Sequence, residues 1–168
     1  MSPELITAIS SVGIAVLALA TSVYQSALTR RHNRQSVRPV LQFGSTFRKG
    51  ETVGLGLRNV GLGPAIMDES SVWVDGQHVG AFNRETIDRI RGSERPRPSA
   101  STAFDRGAMI AADFDGLLLR VDDYDPTRRW HADFADLIEA RIVIKFTYSS
   151  LYGGEEFVAM WPRRERDE

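Results

Sequence analysis

The chain has 168 residues, with 21 Lys and Arg against 22 Asp and Glu, three histidines and no cysteine. That near-neutral balance argues against a nucleic-acid binder, which would carry a basic face, and the missing thiol removes any cysteine nucleophile while leaving the redox compartment open. The charge is unevenly placed, because every Lys and Arg lies beyond residue 28.

The first element explains that asymmetry. From Leu5 to Leu28 the chain carries no charge, and it stops at Thr29-Arg30-Arg31-His32-Asn33-Arg34. A helix over residues 1–28 is long enough to span the hydrocarbon core of a bilayer, roughly 30 Å thick. A secretory signal fits less well, although Ala18-Leu19-Ala20 imitates a cleavage site, because no Lys or Arg precedes the run and apolar residues continue past it. A buried helix of a soluble protein would show a polar stripe. Thr7, Ser10, Ser11, Thr21, Ser22, Gln25 and Ser26 dilute the apolar residues of the span, and a hydroxyl in a helix can bond back to a carbonyl one turn earlier. Ser11, Ala15, Ala18 and Ser22 recur at steps of three or four, a small-residue face for helix–helix contact and a possible homo-oligomer. Arg30, Arg31, Arg34 and Arg38 follow the span, so the positive-inside bias places the N-terminus outside and the C-terminal domain in the cytoplasm.

Residues 29–38 read as a basic juxtamembrane linker that ends at Arg38-Pro39. Residues 39–162 read as one β-sandwich domain, and 163–168 as a charged tail. Leu41, Phe43 and Phe47 alternate, as do Val53, Leu55 and Leu57, so the two runs predict a hairpin across Arg48-Lys49-Gly50-Glu51. Asn59-Val60-Gly61-Leu62-Gly63-Pro64-Ala65 imitates a phosphate loop, but Leu62-Gly63 stands where Lys and Ser or Thr are needed. It reads instead as a bend whose glycines supply unusual backbone angles. Strands follow on either side of Asp75-Gly76, then a short helix near Phe82–Arg91 capped by Asn83, and a loop over 92–101 suited to disorder. Two further strands, 108–114 and 117–121, flank an expected turn at Asp115-Gly116.

Asp122, Asp123 and Asp125, together with Asp113 and Asp115, invite a calcium site, but their spacing matches no known loop. Asp125-Pro126 predicts a helix start, with Trp130, Phe134, Leu137 and Ile138 as its apolar stripe. His131 beside it reads as a surface residue. The last hairpin, 141–148 and 155–161, turns at Ser149–Gly154, where Tyr148, Leu151 and Tyr152 form a candidate partner surface. The sum is a mainly β fold, an antiparallel Ig-like β-sandwich with one or two short helices behind a single transmembrane helix.

The order of an N-terminal helix, RPVLQF, LRNVGLGPA and FTYSSLYGGEEF resembles a group of small bacterial proteins. These combine an anchored β-sandwich with NxGxGPA and YSxYG-type loop motifs. The resemblance implies fold and topology, because the motifs carry no reaction. No HExxH or GxSxG is present, so neither catalysis nor a cofactor or metal is expected. The expected function is a membrane-anchored interaction or sensing module that binds a protein partner or small ligand. The alternative is a membrane-perturbing effector that oligomerises through its helix.

Overall fold

The computed structural model describes residues 3–93 and 100–162, and the chain divides into two units, Met1–Ser36 and Val37–Glu168. The first unit is one helix, α1 (Pro3–Ser36). Within it Ser11–Thr29 is long and apolar enough to cross a membrane. The Thr21 hydroxyl donates to the Leu17 carbonyl at 2.8 Å, so this polar group is satisfied inside the helix. The basic segment expected to be a linker is helical as far as Ser36. It holds no Gly or Pro to stop propagation before Pro39.

The second unit consists of two antiparallel sheets. The first sheet has the order β1 (Leu41–Thr46), β2 (Val53–Asn59), β7 (Asp115–Val121), β5 (Ala100–Ser101). The second has the order β4 (Gln77–Gly80), β3 (Ala65–Val74), β8 (Ile142–Ser150), β9 (Glu156–Trp161), with β6 (Met109–Ile110) also paired to β3. β1 and β2 form the expected hairpin, with Leu41 opposite Asn59 and Thr46 opposite Gly54. Period-two alternation decides which residues face inward: Leu55, Leu57, Ile144 and Phe146 are all fully buried. A helix α2 (Arg84–Ser93) follows β4, and the Asn83 carboxamide oxygen accepts from the Thr86 amide as its cap.

Three expectations are corrected. Asp115-Gly116 is not a turn between two strands, because both residues pair with β2, Gly116 opposite Leu57 and Asp115 opposite Arg58. Asp125 does not cap the third helix, which begins at Arg129 as α3 (Arg129–Asp136) and runs through a π-helical turn, Leu137–Arg141, into β8. Its carboxylate instead accepts from the Thr127 amide and hydroxyl, closing a separate turn one step earlier. Part of the loop expected over 92–101 is ordered, since Ala100 and Ser101 pair with β7, while 94–99 lie outside the described residues.

Phe146 is the centre of the core. Its ring lies 5.1 Å from Phe43 across the sandwich, 5.4 Å from Phe82 and 6.5 Å from Phe104, in tilted or edge-on geometry. These partners come from β1 and from the segments flanking α2 and β6, so one side chain joins both sheets to the connections between them. Trp161 ties in the other helical element by donating its indole N–H to the Ile138 carbonyl at 2.7 Å. Phe146→Ala is expected to cost about 3–5 kcal/mol in chemical denaturation, and Phe146→Leu clearly less. Equal, small losses for both would mean the core does not depend on this ring.

Candidate functional site

The two loop motifs that stand out in the sequence meet at one end of the sandwich. Asn59 ends β2 with its side chain buried. The carboxamide oxygen accepts from the Val40 amide and from the Gly61 amide, each at 3.1 Å. The carboxamide nitrogen donates to the Gly63 and Ala111 carbonyls, each at 2.9 Å. A carboxamide has two acceptor sites and two N–H donors, and all four are used. Amide protons face one end of the group and carbonyls the other, so only one orientation fits.

The glycines of the motif follow from the same packing. A Cβ on Gly63 would overlap the Val37 carbonyl, and a Cβ on Gly61 would overlap the Arg38 carbonyl and the Val40 amide. Neither residue is among those with a positive φ. The expected reason for these glycines, unusual backbone angles, is therefore replaced by a close approach of the chain at Val37–Val40.

The second motif grips the same segment. Tyr148 is only 3% exposed, and its hydroxyl accepts from the Leu41 amide at 3.0 Å. Burial pushes its phenol above the ordinary tyrosine range. The Arg38 guanidinium pairs with Glu155 at 2.7 Å and lies 5.0 Å from the centre of the Phe157 ring, which stacks on Tyr148. Tyr148 thus belongs to the core rather than to a partner surface, whereas Leu151 and Tyr152 are exposed. Sequence inspection missed Asn59, although its place at the head of the glycine motif was the available signal.

Ser11, Ala15, Ala18 and Ser22 lie on α1 at the spacing of one helical face and are exposed within the chain.

A cleft of about 650 Å³ opens beside β3. β6 accounts for the start of that strand edge, extended by bonds between Met67 and residues 107–108. β4 pairs only from Val72 onward. Between them, from Asp68 to Ser71, no strand among the described residues covers the edge. Asp68 is an extra residue in the β3–β8 ladder, a bulge that bends the strand beside the opening. Asp68, Glu69, Asp105 and Glu156 line the cleft together with Arg106 and His78, so its charged side chains are mostly acidic. No motif signals this site, because its residues are far apart in the chain and individually ordinary.

The aspartates near 122–125 are engaged locally. Asp122 accepts from Thr52 and lies 3.8 Å from Arg120, and Asp123 lies 3.6 Å from Arg128. The bonds from Thr127 hold the Asp125 carboxyl below its usual range, with Lys49 and Arg128 contributing less. His131, expected at the surface, is fully buried. Its ring stacks on Tyr124, and its Nδ1 accepts from the Asp125 amide at 2.6 Å. The acidic turn thus wraps back over the start of α3 and covers the imidazole.

No protein-family model matches the chain, and no curated protein matches it. Two predictions follow from the grip on residues 37–41. Asn59→Ala strips partners from four backbone groups and is expected to cost at least about 3 kcal/mol in denaturation, as is Gly63→Ala by displacing Val37. A loss under about 1 kcal/mol for either would contradict the packing described. Tyr148→Phe removes an acceptor and is expected to cost about 1–3 kcal/mol at neutral pH. The raised folded-state phenol means that its contribution holds below the unfolded value of 10.0 and is lost as pH rises through the folded value. The wild-type protein should accordingly lose stability more steeply than Tyr148→Phe as pH rises from 10.0 through the folded value.

Proposed function

We propose that this is a single-pass protein of a bacterial inner membrane, whose Ig-like sandwich lies in the cytoplasm as an interaction or sensing module. The observation that carries the reading is the acidic cleft along the uncovered edge of β3, held on a domain tethered by α1. A sandwich with a strand edge that no described strand covers, and carboxylates at the same opening, suits recognition. The chemistry of the wall selects a protein partner that presents basic side chains to Glu69, Asp105 and Glu156.

Charge supports the orientation, since Arg30, Arg31 and Arg34 follow the span and no basic residue precedes it. A second reading, an effector that perturbs the bilayer, is favoured by one feature, the small-residue face of Ser11, Ala15, Ala18 and Ser22. Bulky substitutions there abolish a growth defect on overexpression under the effector reading and are tolerated under the tether reading.

Two experiments test the main proposal. A C-terminal reporter that is active only in the periplasm is expected to stay silent, and strong activity would reverse the orientation. Capture from detergent-solubilised membranes is expected to recover a partner whose binding Glu69→Lys weakens by roughly tenfold or more without lowering the Tm. Recovery unaffected by the substitution would remove the cleft as the binding site.

A further inference from the structure

The cleft beside β3 has a buried hydroxyl in its floor. Alternation along β8 turns Ile144, Phe146 and Tyr148 into the core and puts Lys145, Thr147 and Ser149 on the opposite face of the sheet. Lys145 and Ser149 are half-buried there, whereas Thr147 is only 7% exposed. Its side chain lines the cleft, and its hydroxyl makes no hydrogen bond to any described residue. A hydroxyl taken out of water without a partner is costly, so a ligand that bonds it gains by relieving that cost.

Carboxylates stand on both sides of this hydroxyl. Glu69 on β3 is directly opposite Thr147, and Glu156 on β9 is diagonal to it, opposite Ser149. Strand geometry puts the Glu69 Cβ about 5 Å from that of Thr147, and the Glu156 Cβ about 7–8 Å away on the other side. Neither glutamate has an ion-pair partner among the described residues, although Arg106 lines the same cleft. The Phe104 ring forms part of the wall, held edge-on against Phe114 at 5.6 Å and Phe146 at 6.5 Å.

Acceptors spread in this way select their donor. A lysine ammonium is a point charge whose three N–H groups leave one nitrogen. A guanidinium spreads five N–H donors around a plane and also stacks on aromatic rings. It can bond a central hydroxyl and carboxylates on either side together, with an aromatic wall beside its plane.

We propose that Thr147 seats an arginine side chain of the protein partner, its guanidinium bonded to the hydroxyl and flanked by Glu69 and Glu156. The proposal rests on the recognition reading of the cleft given above, and narrows it from basic side chains in general to one arginine. Thr147 is then the residue that distinguishes arginine from lysine, while the glutamates supply attraction that either cation would feel.

The test uses the full-length, isotope-labelled protein in detergent micelles. It is titrated with acetyl-Gly-Ser-Arg-Ser-Gly-amide and with the lysine counterpart, and binding is read from the amide shifts of residues 69 and 147. The arginine peptide is expected to bind roughly tenfold or more tightly than the lysine peptide, as a hydrogen bond to a charged group implies. Thr147→Val keeps the shape and removes the hydroxyl, so it is expected to abolish that preference at an equal or higher Tm. Thr147→Ser is expected to keep it. A lowered Tm for Thr147→Val would mean that the fold itself bonds the hydroxyl, and overturns the seat. Arginine preference that survives Thr147→Val overturns it as well. Equal binding of the two peptides, lost in Glu69→Lys, leaves the acidic cleft standing as a recognition site and overturns the arginine seat alone. No shift at either residue with either peptide overturns both.

Discussion

The carboxamide of Asn59 is the constraint on which one end of the sandwich depends. It bonds the strand before it, the loop after it and the β6 connection across from it, so four chain segments share one polar group. A buried polar group costs stability unless it is saturated, and a saturated one admits a single arrangement. That is why the two glycines follow so closely. Once Asn59 draws Val37–Val40 against the loop, no Cβ fits at residues 61 or 63.

Tyr148, and Glu155 through its pair with Arg38, complete the same arrangement from the side of the opposite sheet. The exposed Arg38–Glu155 pair by itself contributes little, on the order of 0–1 kcal/mol. The buried hydroxyl and the stacked Phe157 ring supply most of the holding. The result is a first strand attached to both sheets before its own ladder begins.

This rigidity separates two surfaces with different chemistry. The loops at the Asn59 end carry Val60, Leu62, Met109, Leu151 and Tyr152 as exposed apolar side chains, while the charged side chains lining the cleft beside β3 are mostly carboxylates. A bulge at Asp68 and the short reach of β4 and β6 leave the strand edge uncovered between them. Both devices are backbone features that a strand pattern does not reveal.

The sequence by itself determined the apolar span, the two-period strands, the Asn83 cap and the sandwich class, because each rests on periodicity or on chemistry within a few residues. It also marked the glycine motif and the Tyr148–Gly154 turn as special, without saying why. Only the tertiary structure decided their roles, since the atoms that require Gly61 and Gly63 lie in the chain at 37–40, and the partner of Tyr148 is the Leu41 amide. The same holds for His131, which local pattern placed at the surface and which the turn at Asp125 and the Tyr124 ring bury. Contacts between residues far apart in the chain leave no spacing to read, so a residue that answers to a distant backbone looks, in sequence, like an ordinary loop.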